Sequence, residues 1–304
     1  MAILQEISGT SAKREIVLRS VIGFISPTGG TGATTIAASV AVTLAKSGYS
    51  VCYIDTNIVF PSGYLYLLDQ RVYKSAKYDL LSMSEVEIKD IILKSRFENL
   101  FVLSAKGRKI IDMISPRDSQ KQMRYLLEKC KSAFDFVILD VNTVPTELNA
   151  AAFIGCDSIY QIWDENPMCV SNCTNFMSYM MELGTLPSKI LKVVINKRTN
   201  IELPIKLFNN KSLRLITSIP FSETVLKGAW RGKVIGEIES VKKIDTMVAQ
   251  GINAIVQDMV GISNSEDTAK KQDIKEVNEV RKEKKEKKEK KNKNKEKSGV
   301  LSRC

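Results

Sequence analysis

The chain has 304 residues, of which 44% are apolar, and this is enough apolar material for a sizeable folded core. It contains no histidine, which excludes Ser-His-Asp and Cys-His catalysis as well as metal binding through imidazole. The formal net charge is +11, but residues 281–304 contribute +8 through 12 basic and 4 acidic side chains, which leaves +3 for residues 1–280. The body is therefore nearly neutral, and the basic character belongs to the C-terminal segment.

The cysteines form no C-x-x-C pair, and their place in apolar runs predicts buried thiols. The N-terminus has no signal-peptide pattern, and no apolar run approaches the ~18 residues that a membrane-spanning helix needs. Free thiols without an export signal predict a reducing, cytoplasmic location.

The first predicted elements form a strand, a Gly-rich turn and a helix. An apolar run at residues 21–25 predicts a buried strand, and the residues after the turn predict a helix over residues 34–46. A second buried strand covers residues 51–54 and ends at Asp55. This order is that of a βαβ unit.

The remaining elements alternate in the same way. Further strands are predicted over residues 100–104, 136–140, 158–163, 190–196 and 213–219. Helices are predicted over residues 64–70, 119–131, 146–155, 168–183, 223–230 and 237–260, and residues 82–94 carry acidic side chains on an apolar period. Continuous apolar strands that alternate with helices predict a doubly wound α/β fold, with a mainly parallel sheet flanked by helices.

The chain is predicted to have three segments. A short lead-in covers residues 1–17, a single α/β domain covers residues 18–262, and a Lys/Glu-rich segment covers residues 263–304. The composition of the last segment predicts disorder. Three roles stay open for this tail, namely a solubilising appendage, a contact with nucleic acid and a contact with an anionic membrane.

The Gly-rich turn has the geometry of a phosphate cradle, because glycines and a helix N-terminus let backbone N–H groups point at one anion. The turn reads Gly29-Gly30-Thr31-Gly32-Ala33-Thr34-Thr35. A P-loop has lysine directly before its Ser/Thr, whereas this chain has Ala33. The turn therefore predicts a nucleotide site without its most cationic side chain, and a turn that binds no ligand is the alternative.

Four features in register resemble the deviant Walker A ATPases of the ParA/MinD superfamily. They are the Gly-Gly-x-Gly turn, the strand ending at Asp55, the strand ending at Asp140, and the pair Ile219-Pro220 followed by Gly232-Lys233-Val234-Ile235. The resemblance covers roughly residues 20–260. It implies a P-loop NTPase fold, ATP or ADP with Mg²⁺ as ligands, and a nucleotide-dependent homodimer in a bacterial cell.

The resemblance also assigns roles to single residues. The two lysines of the family's loop fall at Thr28 and Ala33, so both are absent. Asn57 takes the place of a carboxylate that is linked to positioning the attacking water. The implied Mg²⁺ ligands are Thr34, Asp55 and Asp140. The implied nucleotide contacts are Gly29, Gly30, Thr31, Gly32, Ala33, Thr34, Thr35, Asn196 and Pro220.

The missing lysines predict a site that holds nucleotide better than it hydrolyses it. Losing one charge-assisted contact costs about 1.5–3 kcal/mol of binding free energy. Turnover depends more strongly on cations, because a cation that neutralises the transferring phosphoryl group is worth ~10³–10⁵ in rate. We expect weak binding of ATP and Mg²⁺, and slow or absent hydrolysis.

The loop is also similar to those of CpaE/TadZ-like members, which are associated with placing pilus or secretion machinery at cell poles. The expected function is therefore that of a nucleotide-responsive positioning protein with a protein partner from a positioning, secretion or pilus system. It would be cytoplasmic, at the inner face of the membrane or at a pole. An active ATPase for plasmid or chromosome segregation and a nucleotide-free scaffold stay open as alternatives.

Overall fold

The structure is a computed structural model that describes residues 19–82, 86–106, 119–142, 146–182, 191–199, 213–240 and 242–261. The chain divides into two compact units, Met1–Gln257 and Asp258–Cys304. The predicted lead-in and the predicted tail lie outside the described residues. Within the described part, no helix is long and apolar enough to cross a membrane.

Within the described residues, eight strands form one sheet in the order β3-β4-β2-β5-β1-β6-β7-β8. Neighbouring strands are parallel except β3 and β4, which are antiparallel. The predicted α/β fold with a mainly parallel sheet is thus confirmed. The strands are β1 (Ser20–Ile25), β2 (Val51–Asp55), β3 (Leu93–Lys94), β4 (Leu100–Ser104), β5 (Phe136–Val141), β6 (Ser158–Trp163), β7 (Leu191–Arg198) and β8 (Leu213–Pro220).

Helices follow most of the strands. In the first unit they are α1 (Ala33–Lys46), α2 (Tyr64–Leu67), α3 (Gln70–Ser75), α4 (Ile88–Ile91), α5 (Ser119–Ala133), α6 (Glu147–Gly155), α7 (Pro167–Glu182), α8 (Glu223–Ala229) and α9 (243–257). The described residues of the second unit, 258–261, are also helical.

Two predicted helix boundaries are wrong. The helix predicted over residues 64–70 is split into α2 and α3, because the Asp69 side chain accepts the Arg71 N–H at 2.7 Å and begins a new helix. The helix predicted from residue 237 begins at residue 243, after a 3₁₀ turn over Ile235–Glu237. Among the described residues from 86 to 94, the chain forms the short helix α4 and then β3.

The centre of the sheet is buried on both faces. Every residue of β2 and β5 is buried, which explains why these strands are continuous apolar runs. Packing is tight enough that a Cβ added to Gly23 in β1 would lie 2.7 Å from the Cys156 Sγ. The described cysteines are buried thiols, as the sequence predicts.

The sheet topology places the predicted site residues at the carboxyl edge of the parallel strands. Because β1, β2, β5, β7 and β8 are parallel, their carboxyl ends meet at the same edge of the sheet, where ligands bind in such folds. Asp55 at the end of β2 pairs in register with Asp140 of β5. The Gly-rich loop (residues 26–35) leaves β1 at this edge and leads into α1.

Candidate functional site

A cavity of about 470 Å³ opens at the carboxyl edge of the sheet. This is within the size range of small-molecule sites. Of the residues to which the sequence assigns a site role, only Asp55 is outside the lining of the cavity. The others that line it are Asn57, Gly29, Gly30, Thr31, Gly32, Ala33, Thr34, Thr35, Asn196, Pro220 and Asp140.

The Gly-rich loop needs its glycines for two different reasons. Gly30 and Gly32 have φ values of 83° and 93°, in the left-handed region that glycine adopts without steric penalty. A Cβ on Gly32 would also lie 2.6 Å from the Asn196 Nδ2. Gly32 is the N-cap of α1 and has no side chain to cap the helix, so the first N–H groups of α1 can bind a ligand anion.

The positions of the two family lysines have uncharged side chains with other contacts. The Thr28 Oγ1 lies 3.0 Å from the Cys169 Sγ, on α7. The Asn172 Nδ2, one turn further along α7, donates to the Pro27 carbonyl at 3.2 Å. Ala33 is the first residue of α1. The start of the loop is therefore fastened to α7 through neutral groups.

The end of β7 holds the loop from the opposite side. Its pairing with β8 shifts register between Ile195 and Arg198, and Lys197 has a left-handed φ of 56°. The Asn196 Nδ2 donates to the Thr31 carbonyl at 2.7 Å, and the Lys197 Nζ donates to the Gly30 carbonyl. Bulges of this kind redirect side chains next to functional sites. The sequence prediction missed Lys197, although it directly follows Asn196 near the carboxyl end of a predicted strand.

Asp140 and Thr34 are brought together as a pair. The Thr34 side chain hydrogen-bonds to the Asp140 carboxylate, and the Tyr53 hydroxyl donates to the Asp140 Oδ2 at 2.9 Å. Burial, together with the charge of Asp55, raises the pKa of Asp140 to about 7, against the lowering effect of these two hydrogen bonds. Tyr53 was not predicted, because its contact depends on the pairing of β2 with β5.

Asp55 makes a different set of contacts. Its carboxylate accepts the backbone N–H groups of Asn57 at 3.0 Å, Ser62 at 2.9 Å and Gly63 at 2.9 Å. Burial raises the pKa of Asp55, and these three hydrogen bonds oppose the rise. The side chain thus holds the loop that follows β2, and its predicted role as a Mg²⁺ ligand is untested.

The loop after β2 folds back on itself. The Asn57 Oδ1 accepts the Phe60 N–H at 3.1 Å, and Phe60 is 77% exposed at the tip of the loop. A Cβ on Gly63 would lie 2.5 Å from the Tyr53 ring, so this end of the loop lies directly on the phenol. Asn57 faces the cavity, where the prediction that it positions a water is untested.

One wall of the cavity is apolar. It is formed by the end of β8, by α8, by the 3₁₀ turn over Ile235–Glu237 and by α9, and its residues include Pro220, Phe221, Val225, Leu226, Ile235 and Val248. The Ser222 Oγ accepts the Val225 N–H at 3.1 Å, which fixes the start of α8. An apolar wall beside a phosphate cradle suits a flat aromatic base. The sequence predicted only Pro220 of this wall.

The polar residues fit Mg²⁺ held jointly with a nucleotide. No group of three His, Cys, Asp or Glu residues that could hold a metal occurs in the described ranges. Mg²⁺ does not need one, because it keeps several waters and binds through one or two carboxylates together with phosphate oxygens. Thr34 and Asp140, next to the Gly-rich loop, are such a set.

Comparisons with known proteins agree with this geometry. The family model described as AAA domain matches residues 19–183. The septum site-determining protein MinD of Thermotoga maritima is 25% identical over 218 residues, which cover 68% of this chain and 77% of that protein.

Solved structures show the same fold. MinD of Pyrococcus horikoshii, solved with Mg-ADP, has a TM-score of 0.64 at 18% identity and covers 80% of this chain and 98% of its own. The MinC:MinD complex of Aquifex aeolicus has a TM-score of 0.62 at 17% identity and covers 80% of this chain and 96% of that one.

Proposed function

On the premise that this chain belongs to the AAA domain family and to the ParA/MinD superfamily of ATPases, we propose that it is a nucleotide-responsive positioning protein. It binds ATP or ADP with Mg²⁺ in the cavity at the carboxyl edge of the sheet. The observation that carries this proposal is the cavity that Thr34 and Asp140 line together with a loop whose Gly30 and Gly32 have a left-handed backbone.

Each part of the nucleotide has a counterpart in the cavity. The phosphates take the backbone N–H groups of the Gly-rich loop and of the α1 N-terminus. Mg²⁺ takes the Thr34 hydroxyl and the Asp140 carboxylate. The base lies against the apolar wall after Pro220, on the side where Asn196 reaches the loop. Bound Mg-ADP in the Pyrococcus horikoshii protein supports this ligand set.

Hydrolysis is slow or absent in this proposal. Phosphoryl transfer is accelerated mainly by cations placed at the transferring group. Thr28 and Ala33 are neutral, and the Thr28 hydroxyl contacts Cys169. Asn57 can orient a water through its amide, but it cannot accept a proton as a carboxylate does.

The protein acts through partners. We propose that it forms a nucleotide-dependent homodimer and binds a protein partner from a positioning, secretion or pilus system. The complex of MinC with MinD supports the idea of a protein partner. The basic tail is proposed to add a contact with nucleic acid or with an anionic membrane, at the inner membrane face or a pole of a bacterial cell.

Titration calorimetry with MgATP tests the nucleotide site, with Thr34→Ala as the matched variant. Wild-type protein is expected to give saturable heat, and Thr34→Ala is expected to lose it, because the variant removes the hydroxyl that contacts Asp140. Absence of saturable heat with both proteins would favour the nucleotide-free scaffold.

A phosphate-release assay under the same conditions tests turnover. We expect release near background, and an increase when Ala33→Lys restores a cation at the start of α1. Wild-type turnover as fast as that of a family member with both lysines would instead favour the segregation ATPase.

A further inference from the structure

We propose that Lys197 is the cation of the phosphate cradle, and that it replaces in part the two lysines absent from the Gly-rich loop. This inference rests on the proposed nucleotide site. It assigns to Lys197 a positioning role at the loop, and it names the phosphate chain of the nucleotide as the group that Lys197 serves.

The first observation is the backbone at Lys197. A lysine with φ of 56° is in a conformation that few non-glycine residues adopt. The register shift between Ile195 and Arg198 accompanies it, so the strand departs from regular pairing at this point. The result is that Asn196 and Lys197, which are adjacent in a strand, both reach the Gly-rich loop. Regular strand geometry would direct them to opposite faces.

The second observation is that Asn196 and Lys197 contact backbone carbonyl oxygens of the Gly-rich loop. Asn196 and Lys197 donate to the carbonyl oxygens of Thr31 and Gly30, which are consecutive. In a trans peptide the carbonyl and the following N–H point in opposite directions. The N–H groups of Thr31 and Gly32 therefore point away from β7. Fixing the carbonyls fixes the donors that a phosphate would use.

The third observation is the charge around the cavity. Of the described residues that line it, only Asp140 and Lys197 are charged. Two basic residues outside the lining have other contacts: Lys46 donates to the Gly236 carbonyl, and Lys227 pairs with Glu223. Among the described residues that line the cavity, Lys197 is therefore the cation that can balance a phosphate chain at this loop, and it acts through its charge from behind the loop rather than by direct contact.

The ammonium of Lys197 is exposed to solvent, which gives the inference a specific signature. Interactions of exposed charges are weakened by salt, whereas backbone hydrogen bonds and apolar contacts are weakened much less. Part of the salt dependence of nucleotide binding should then belong to Lys197. A residue that only supported the fold would not contribute to that dependence.

Lys197→Gly tests the proposal in the full-length protein. Glycine suits the left-handed backbone, so the variant removes the ammonium without adding strain. Lys197→Arg keeps the charge, and Lys227→Ala removes a charge from an exposed site on α8 as the matched control. The measurements are the MgATP and MgADP dissociation constants by calorimetry at low and moderate KCl, with the melting temperature of each variant.

We expect Lys197→Gly to bind both nucleotides about tenfold more weakly at low salt, with an unchanged or higher melting temperature. Its affinity should also fall less steeply with KCl, whereas Lys197→Arg and Lys227→Ala should behave as wild type. Unchanged affinity in Lys197→Gly, or a loss with the wild-type salt dependence, overturns the role of Lys197 alone. Failure of the wild-type protein to bind either nucleotide overturns the proposed function itself.

Discussion

The two sides of the cavity hold their polar groups in different ways. On the carboxylate side, Asp140 and Asp55 are buried in the sheet and are held by Thr34, Tyr53 and three backbone N–H groups. On the cradle side, the one charged group among the described lining residues is Lys197, an exposed side chain whose ammonium donates to a loop carbonyl.

This difference shows which part of the site the fold determines. A buried carboxylate with several partners cannot be replaced without leaving those partners unsatisfied, which costs about 1–3 kcal/mol for each buried group. A side chain at the exposed mouth of the cavity can change with little effect on folding. The carboxylate side is therefore tied to the sheet, and the cation side is free to vary in sequence.

The largest effect is expected from Asp140→Ala. In the proposed site this carboxylate binds Mg²⁺ with Thr34, so its loss should weaken MgATP binding by about 100-fold or more. Calorimetry with and without Mg²⁺ measures the change. Glu87→Ala is the control, because Glu87 is exposed, lies outside the lining of the cavity and pairs with Lys89 at 2.8 Å. An Asp140→Ala protein whose ATP affinity still rises with Mg²⁺ contradicts the assignment.

The next largest effect is a difference in stability between alanine substitutions at two glycines of the Gly-rich loop. Gly32→Ala should lower the free energy of unfolding by about 1–2 kcal/mol, because φ is 93° and the new Cβ would lie 2.6 Å from the Asn196 Nδ2. Gly29→Ala should have an effect below about 0.5 kcal/mol, because a Cβ there meets nothing within 4 Å. Urea unfolding measures both, and equal losses would mean that the loop is not held by β7 as described.

A further effect concerns pH and the carboxylate side. The pKa of Asp140 is about 7 in the folded protein and ~3.9 in an unfolded chain. The folded state thus binds the Asp140 proton more tightly than the unfolded chain does. The stability that this proton contributes is fully present below about pH 4 and is lost as pH rises to about 7. The free energy of unfolding should fall over this range by up to about 1.4 kcal/mol per pH unit.

Asp140→Asn isolates this contribution. The amide does not titrate, so the fall between pH 5 and pH 7.5 should be reduced in urea unfolding without Mg²⁺. Asp55, whose pKa is also raised by burial, should account for part of the slope that persists. An identical pH dependence in Asp140→Asn and wild type would show that Asp140 does not titrate as described.

The smallest effect is expected from Asn57→Asp. A carboxylate oxygen can still accept the Phe60 N–H, so the free energy of unfolding should change by less than about 0.5 kcal/mol. Asn57→Ala removes that acceptor and should cost about 1 kcal/mol. Phosphate release should stay near background in Asn57→Asp, because Thr28 and Ala33 supply no cation. Fast turnover in this variant would show that the absent lysines do not limit the reaction.

The sequence predicted the central part of the fold because its signals are local. The buried strands β1, β2 and β5 are continuous apolar runs, and the Gly-rich loop lies directly between β1 and α1. Once a parallel sheet is inferred, Thr34 and Asp140 must come close, since both follow the same edge. The order of elements therefore predicts these positions without knowledge of side-chain contacts.

The features that were missed depend on distant parts of the chain. The strand β3 has only two residues, and it exists through its pairing with Val102 and Phe101. The direction of Asp55 depends on the return of the loop at Ser62 and Gly63. The contact of Lys197 with the loop depends on a bulge opposite β8. No local periodicity in the sequence indicates these three arrangements.

The order of strands in the sheet also bears on synthesis. The central strand β1 pairs with β5. Its first residue, Ser20, can pair with Phe136 only after about 116 further residues have been synthesised. A ribosome that adds ~5–20 residues per second makes that stretch in about 6–23 s. During this interval the Gly-rich loop has been synthesised, but Asp140 has not. Nucleotide therefore cannot guide the first half of the chain as it emerges, and a ligand can stabilise the nascent protein only after β5 has been added.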